Sequence, residues 1–554
     1  MSMGILDTAL SGLAAFQRSL ETTSNNISNV NTEGYSRQRV ELSTRPEQYT
    51  GAGYVGTGVN IANITRSYDQ FITGQMRSST SAFKDVDAYH TMASQIDNMI
   101  ADEKTGLSPA MKSFFNAVND VANDPSSIPA RQAMLSEADS MSQQFNTVAA
   151  RFDELRKQVN NNLDTSVSDL NGFAKSVADL NTKIVADIGR ASGTRMPNDL
   201  LDQRDLLLNK IAEKADISVV PQSDGSVSVF IGQGQPLVLG NNASTLSVQS
   251  SKTDPLHKEI VLNGQDISSL LSGGEIYGNL RFRDEVLDPA QRQLGTLAVG
   301  LATEFNKVHQ AGVGLDGSNN KPFFDLGAPN VQVLGVAKDP NLVVSATFFA
   351  PTSAANLGTS YQLDVTATLP AVTYSLTDLS GSTPPVTGLT AATLSVATEA
   401  VGFDVSFPAG TLNVGDSFQI SPAFGAAQKL KVAISNPQQI AAASAANLPG
   451  DNSNVLKLAN LEKQTLMKNG KSTFSQVYGQ LVADVGSKTH AALVSSSAQD
   501  VLLKQATSAR ENLAGVNLDE EAANLIKFQN SYQAAAQTVT VAKTLFDTLI
   551  GAVR

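Results

Sequence analysis

The sequence predicts an α+β multidomain protein, in which a long α-helical bundle or coiled-coil rod is built from both chain ends and β-rich domains are inserted in the middle. Apolar residues recur with helical spacing at both ends and along a stretch between them. Over about 330–430 the composition changes to Thr, Val, Ser, Gly and Pro, which is typical of strands and turns. The length of 554 residues leaves room for about three to five domains.

Both chain ends carry a heptad repeat. At the N-terminus it runs through Leu6, Leu13, Leu20 and Ile27, with Phe16 on the second apolar position. At the C-terminus it runs through Leu518, Leu525, Tyr532, Val539 and Phe546, with Phe528 and Leu549 between them. Such a repeat predicts a helix that buries one narrow stripe against another helix. Because both ends carry one, we expect the two ends to pair, with Asn517 capping the C-terminal helix.

The remaining patterns divide the chain into seven segments. These are an N-terminal axial helix segment that pairs with the last one (1–45), the first part of a helical rod (46–215), a β-rich inserted domain (216–280), a helix and turn that return to the rod (281–329), a second β-rich module (330–430), the last part of the rod (431–514) and a C-terminal axial coiled-coil helix (515–554).

Several elements within these segments are predicted from local signals. Apolar residues from Phe145 to Ile188 recur about every 3.6 residues, which predicts a helix of roughly 65–70 Å. A shorter helix is expected near 85–101, and a helical block over about 437–511. Asp288 and Pro289 are expected to form the N-cap and first turn of another helix. Alternating apolar residues around Ser223-Asp224-Gly225 predict a β-hairpin, and the 330–430 module is expected to be all-β.

The composition argues against most kinds of chemistry. The net charge of −12 opposes a general nucleic-acid binder, because phosphate recognition needs a basic surface. The chain has no Cys and only 4 His, so disulfides and thiolate sites are excluded and the commonest metal ligand is scarce. No segment reaches the ~18 apolar residues of a membrane span, and the N-terminus has no basic region of a signal peptide. We therefore expect no catalytic, cofactor or metal site and no membrane insertion.

Three short motifs resemble ligand sites but lack the required context. GAGYVG at 51–56 matches the dinucleotide pattern, but polar residues stand where a strand should precede it. GKS at 470–472 has Thr465 where a P-loop needs glycine. The run that begins at Asp316 has Lys321 where a calcium loop needs glycine, so a turn is expected. The four histidines are interpreted as surface or helix-face residues rather than ligands.

The N-terminal run SNNISNVNTEGYSRQ at 24–38 resembles the signature of the flagellar rod, hook and hook-associated proteins. Its GYSRQ ending and the C-terminal GVNLDEEAANLIKFQ at 515–529 resemble the hook-associated branch in particular. Internal runs at 198–213, 287–312 and 413–422 are also similar to that branch, whereas about 330–410 matches only loosely.

The resemblance implies an exported axial protein at the junction between hook and filament, required for filament assembly. Its implied partners are copies of itself in a ring, hook protein on one side, hook-associated protein 3 on the other, and an export chaperone on the C-terminal helix. Export would use the flagellar type III apparatus. Two alternatives are a hook or rod protein and an enzyme carried on an axial scaffold. The residues at 216–430 that would support the enzyme are scarce, since that stretch has no Cys and its histidines are His257 and His309.

The predicted assembly interface consists of the heptad residues named above together with Asn25, Asn26, Asn31, Gly34 and Tyr35. Terminal helices with little tertiary support are marginal in water and become stable by packing against neighbours. For the three asparagines, turn and cap chemistry is the alternative to hydrogen bonding between subunits.

Overall fold

The computed structural model describes residues 2–49, 51, 53–102, 106–191, 195–251, 257–334, 338–348, 358–468 and 470–553. The helices are α1 (Ser2–Ser28), α2 (Gln70–Ile100), α3 (Leu107–Asn123), α4 (Ile128–Arg190), α5 (Asn198–Lys214), α6 (Gly274–Phe282), α7 (Asp288–Gln310), α8 (Ala391–Glu399), α9 (Ala426–Lys429), α10 (Ser453–Asn460), α11 (Phe474–Ala514) and α12 (Leu518–Val553).

The strands fall into three regions of the chain. The first contains β1 (Gln38–Thr44), β2 (Gln48–Tyr49), β3 (Tyr54–Val55) and β4 (Val59–Arg66). The second contains β5 (Ile217–Pro221), β6 (Val227–Ile231), β7 (Gln235–Leu239), β8 (Asn242–Ala243), β9 (Leu246–Ser250), β10 (Lys258–Leu262) and β11 (Gln265–Asp266). The third contains β12 (Phe324–Asp325), β13 (Asn330–Leu334), β14 (Val343–Phe348), β15 (Tyr361–Ala367), β16 (Thr373–Asp378), β17 (Val386–Leu389), β18 (Phe403–Ala409), β19 (Ser417–Ser421) and β20 (Lys431–Val432). The α+β architecture predicted from the sequence is confirmed.

The rod is organised around α4, a helix of 63 residues that is about 95 Å long. It begins well before the predicted start at Phe145, because Ser127 caps it by accepting a hydrogen bond from the Ala130 N–H at 3.3 Å. Similarly, α2 is longer than the expected 85–101 helix, since Asp69 caps it and accepts from the Ile72 N–H at 3.0 Å. Around α4 pack α3, α5, α6 and α7, while α11 lies along α2.

Two predicted helix boundaries are wrong. Asp288 is not an N-cap, because α6 continues through one π-helical turn at Arg283–Leu287 directly into α7. Its carboxylate instead accepts from Arg156 Nη2 at 2.7 Å and pairs with His257 Nε2 at 2.9 Å. The helical block expected over 437–511 is divided, since α10 and α11 are separated and the block opens with a short 3₁₀ turn at Pro437–Gln439.

The two inserted β regions differ in how they relate to the rod. The predicted hairpin is confirmed, since β5 and β6 pair antiparallel and Gly225 adopts a φ of 90° in the turn between them. This hairpin belongs to the sheet β5-β6-β7-β8, whose apolar residues join the rod core. The later region forms the antiparallel sheet β13-β19-β15-β16-β17, with β14–β18 as a separate pair.

The later β region has a hydrophobic core of its own, formed by residues such as Tyr361, Leu363, Phe403 and Phe418. The expectation that this region is all-β is wrong at α8. This helix begins at a reciprocal capping box between Thr390 and Thr393. Its buried residues are Leu394 and Thr398.

Candidate assembly site at the paired terminal helices

The N-terminal and C-terminal helices, α1 and α12, pack along each other. A Cβ at Gly12 would lie 3.9 Å from Ala535 Cβ, so the two backbones approach closely there. Near the other end of α1, Asn26 Nδ2 lies 3.1 Å from Glu521 Oε2. Asn26 lies two heptads after Gly12 and Glu521 lies two heptads before Ala535, so the helices run antiparallel in one register.

The stripe that α1 buries within the chain is made of small and polar residues. Its members are Ser11, Ala15, Ser19, Thr22, Thr23 and Asn26, together with Ala9. The apolar heptad residues Leu13, Phe16, Leu20 and Ile27 are only half-buried, and Leu6 is 38% exposed. The predicted stripe on α1 is therefore displaced by about one residue from the buried one. The exposed large apolar side chains of α1 are Ile5, Leu6 and Leu10, near its N-terminus.

On α12 the heptad residues form a stripe that α1 covers incompletely. Leu525, Phe528 and Val539 are half-buried, while Leu518 is 50% exposed, Tyr532 37% and Phe546 45%. The side chain of Leu549 lies outside the part of the chain that the structure describes. Further exposed apolar side chains on α12 are Ile526, Val541, Leu545 and Ile550. The predicted cap is present, since Asn517 Oδ1 accepts from the Asp519 N–H at 3.0 Å.

A buried polar cluster closes the end of the helix pair nearest the rod. Glu521 is only 2% exposed, and besides Asn26 its carboxylate accepts from Arg37 Nε at 2.8 Å. The Asn26 carboxamide also accepts from the Gln38 N–H at 3.0 Å and donates to the Gln38 carbonyl at 2.9 Å. Tyr35 donates its hydroxyl to Asn26 Oδ1 at 2.8 Å. Asn26 thus joins α1, the loop that follows it and α12.

The loop after α1 is fastened to the rod by acidic residues of α5. Asp202 Oδ2 accepts from the Ser36 N–H at 2.9 Å, and Asp199 Oδ1 accepts from Gln38 Nε2 at 3.0 Å. Asp199 and Asp202 are three residues apart on one helix, so their carboxylates lie on the same face. Strands β1 and β4 pair antiparallel, as do β2 and β3, and together they form a β-ribbon. The same face of α5 holds the base of this ribbon, because Arg66 Nη1 lies 2.8 Å from Asp202 and 2.6 Å from Asp205.

Burial shifts the pKa values of this cluster. It raises the pKa of Asp202, even though the hydrogen bonds from Arg66 and Ser36 favour the carboxylate. Burial alone would lower the pKa of Arg66, but the nearby carboxylates of Asp205 and Asp202 outweigh it and raise that pKa. Burial and the neighbouring carboxylates, including Asp199, also raise the pKa of Tyr35. Its hydroxyl therefore keeps the proton that it donates to Asn26.

Other predicted site residues have more local roles. Asn25 contacts Tyr35 Oη at a long 3.5 Å and accepts from Asn29 Nδ2 at 2.9 Å, which is the cap and turn chemistry weighed as the alternative. Asn31 is exposed in the turn that follows α1. Gly34 has a φ of 81°, and a Cβ there would lie 3.1 Å from Leu206 Cβ, so the turn needs glycine.

The charged residues that organise this site were not predicted from the sequence. Glu521, Arg37 and Asp202 were not predicted to be functional, although the spacing of Asp199, Asp202 and Asp205 places three acids on one face of α5. That pattern was the available signal. The contact between Asn26 and Glu521 joins residues 495 positions apart, so no local pattern reveals it.

Two of the motifs set aside as ligand sites lie in a strand connection and in a turn. GAGYVG lies at the tip of the β-ribbon, where β2 and β3 pair and no helix follows until α2; its position 52 lies outside the described residues. Asp316 Oδ1 accepts from the Ser318 N–H at 2.9 Å, as in a turn. His309 is buried rather than on the surface. Over the described residues, no cluster of His, Asp and Glu suited to a metal ion is found, and none of the helices could span a membrane.

Comparisons with known proteins agree with this architecture. The family described as "Flagellar hook-associated protein FlgK helical domain" matches residues 93–324, "Flagella basal body rod protein" matches 6–35, and "Flagellar basal body rod FlgEFG protein C-terminal" matches 511–552. The chain is 32% identical to flagellar hook-associated protein 1 of Salmonella typhimurium and of Escherichia coli, in each case over 99% of both chains.

A solved structure has a similar fold. It is the flagellar hook junction protein FlgK from Burkholderia pseudomallei, which aligns with a TM-score of 0.66 and 24% sequence identity over 79% of this chain and 99% of that one.

Proposed function

Because the chain belongs to the flagellar hook-associated protein 1 family, and is thus a structural axial protein of the bacterial flagellum at the hook–filament junction, we propose that it assembles there through its paired terminal helices. The observation that carries this proposal is the heptad stripe of α12, which α1 leaves partly uncovered. Leu518, Tyr532 and Phe546 are each more than one-third exposed. Exposed apolar rows of this kind are rare on monomers and are typical of interaction surfaces.

Burial of apolar side chains between copies of the chain would stabilise the assembly. A fully buried Leu or Phe side chain contributes roughly 1.5–3 kcal/mol when it leaves water. The half-exposed residues of α1 and α12 would supply part of that amount each, summed over several heptads. Assembly of copies into a ring would bury these stripes, and no catalytic group is required for it.

The further proposed partners would also contact the terminal helices α1 and α12. We propose that hook protein contacts one side of the ring and hook-associated protein 3 the other, because the terminal segments of this chain match models of flagellar rod proteins and so belong to a type shared among axial proteins. An export chaperone would cover the apolar stripe of α12 before the chain is secreted through the type III apparatus. The expectation that the chain is not an enzyme is consistent with membership of a structural flagellar family.

The test places a charge in the stripe of α12. Phe546→Asp should leave export and the melting temperature of the rod unchanged, because Phe546 lies outside the rod core. It should prevent stable filaments, so that cells release flagellin into the medium and lose swimming. Gln537→Asp is the matched control, because it adds the same charge at an exposed position and should assemble normally.

Two results would contradict the proposal. One is a Phe546→Asp strain that retains filaments and swims like the parent. The other is a Phe546→Asp chain whose rod melts at a lower temperature, since the residue would then belong to the fold and not to an assembly surface.

A further inference from the structure

We propose that Glu521 and Asn26 determine the register in which α1 and α12 pair. Their side chains lie 3.1 Å apart at the end of the helix pair nearest the rod, and both are almost completely buried, with exposures of 2% and 1%. Arg37 adds a charge-assisted hydrogen bond to the other carboxylate oxygen at 2.8 Å. This inference concerns contacts within one chain and does not depend on the proposed assembly.

The closest approach between these helices does not discriminate between registers one heptad apart. On α1 the buried stripe offers small side chains, such as Ala15 and Ser19. At Gly12 the facing residue on α12 is Ala535, and a shift by one heptad would replace it with Ala542. Both facing residues are alanine, so the shifted register would keep the close approach at Gly12. A separate determinant is therefore needed to prevent slippage by seven residues.

The polar cluster supplies that determinant. In a register shifted by seven residues, Asn26 would face Phe528 or leave the helix pair, and the Glu521 carboxylate would lose the Asn26 amide. A buried carboxylate that loses one of its hydrogen-bond donors, and a buried amide that loses its acceptor, both destabilise the shifted register, because neither group is compensated by water. Single buried polar residues fix register in coiled coils for the same reason. Glu521 thus acts as a positioning residue.

The chain connections are the competing explanation. The Arg37 N–H donates to the Ala514 carbonyl at 2.8 Å, which ties the loop after α1 to the end of α11 just before α12. If this tether alone set the register, removal of the Glu521 carboxylate would not change it. The two explanations therefore predict different results for the same variant.

Disulfide cross-linking measures the register directly, because the natural chain has no Cys. Cysteines at Gly12 and Ala535 would have their Cβ atoms 3.9 Å apart, within the range of about 3.5–4.5 Å for a disulfide. Cysteines at Gly12 and Ala542 are separated by a further ~10 Å along the helix axis and can join only after a shift by one heptad. Each pair is introduced into the full chain, oxidised mildly, and scored by gel mobility and by mass spectrometry of the joined peptides.

In the parent chain, the Gly12–Ala535 cysteine pair should exceed the Gly12–Ala542 pair by at least about tenfold, given the cost of leaving the buried Glu521 carboxylate and the Asn26 amide without each other. Glu521→Leu should bring the two yields to within roughly threefold of each other, because the polar preference for one register is then lost. Glu521→Gln retains an oxygen acceptor for Asn26 Nδ2 and should preserve most of the parent ratio. Glu520→Leu is the matched control: its carboxylate also contacts Arg37, at 2.6 Å, but is 57% exposed, so the ratio should not change.

The melting temperature of the rod is measured for every variant to show that the chain is folded. Equal yields of the two cross-links in the parent, or neither cross-link, would overturn the proposal. So would a Glu521→Leu ratio equal to that of the parent, which would assign the register to the chain connections.

Discussion

The two long helices α4 and α12 carry the same kind of apolar repeat but use it differently. In α4 the repeat is buried within the chain: Phe145, Phe152, Leu163 and Ile184 are all at 0% exposure. In α12 the corresponding residues are half-buried or exposed, as Phe546 is at 45%. A helical repeat therefore predicts that a partner exists but does not say whether the partner lies in the same chain.

The difference follows from what faces each helix. Around α4 pack several elements with large apolar side chains, and their residues form one continuous core. The helix α12 faces α1, whose buried stripe consists largely of Ala, Ser and Thr. Small residues allow close approach but remove little apolar area from water. We therefore expect the rod to be stable without the terminal helices, which leave part of their apolar surface exposed.

The largest expected effect that separates the two regions is a truncation in the rod core. Phe305 is at 0% exposure, with its ring centroid 4.9 Å from that of Phe323 and 5.3 Å from that of Phe114. Phe305→Ala should lower the free energy of unfolding by about 3–5 kcal/mol, since it removes apolar burial and leaves a cavity. Denaturant titration of the full chain measures this loss.

The matched control is the same substitution in the terminal pair. Phe546→Ala should change the free energy of unfolding of the rod by less than about 0.5 kcal/mol, as for ordinary surface positions. Similar losses for the two variants would show that the terminal helices and the rod form one cooperative core, and the contrast between them would be lost.

The second largest expected effect is a loss of rod stability at acid pH. His309 is buried with Nδ1 2.8 Å from the Lys321 carbonyl, to which it donates, and Nε2 accepts from the Ala441 N–H at 3.0 Å. This pairing requires neutral imidazole. Burial, with a smaller contribution from the Arg131 charge, lowers the pKa of His309 to about 4, whereas the unfolded chain has a pKa of about 6.5.

The direction in which stability changes with pH follows from proton binding. Between these two pKa values the unfolded chain binds more protons than the folded one, so stability is lost as the pH falls from about 6.5 towards 4. At about 1.4 kcal/mol per pKa unit, His309 accounts for a loss of about 3 kcal/mol, measurable as the free energy of unfolding against pH. His309→Gln should remove this slope and the exposed His490→Gln should keep it. Neither α1 nor α12 contains histidine, so a slope that persists in His309→Gln would point to other groups.

Local sequence signals predicted much of the fold, and long-range contacts account for most of what they missed. The rod helix, the hairpin at Gly225 and the cap at Asn517 depend on periodicity or on residues a few positions apart. The N-cap at Asp288 was a wrong prediction, because the sequence pattern of a cap is the same whether or not a helix already continues through it. In the structure, Asp288 pairs with Arg156 across the rod, a contact that local reasoning does not contain.

The candidate site was predictable only in outline. The heptads identified α1 and α12 as partners, but a heptad on one helix leaves its rotation toward that partner undetermined. Ser11 is one of the buried residues of α1, and its hydroxyl accepts from the Val59 N–H of the β-ribbon at 3.1 Å. The ribbon therefore takes part in determining which face of α1 is covered. Propensity and periodicity do not report such contacts. The assembly interface itself stays a prediction.

The smallest expected effect distinguishes two adjacent acids at the start of α12. Glu520 and Glu521 both pair with Arg37, at 2.6 and 2.8 Å, but their side chains are 57% and 2% exposed. An exposed ion pair contributes about 0–1 kcal/mol, because water screens it and two flexible side chains must be ordered. Removing one partner of a buried pair costs several times more, since the remaining groups lose a partner away from water.

Hydrogen exchange across 15–28, the part of α1 nearest this cluster, measures both effects. Glu520→Gln should change protection there by less than about threefold, whereas Glu521→Ala should reduce it by at least about tenfold. Equal changes in the two variants would mean that Arg37, and not burial of the Glu521 carboxylate, holds the end of α1 against α12.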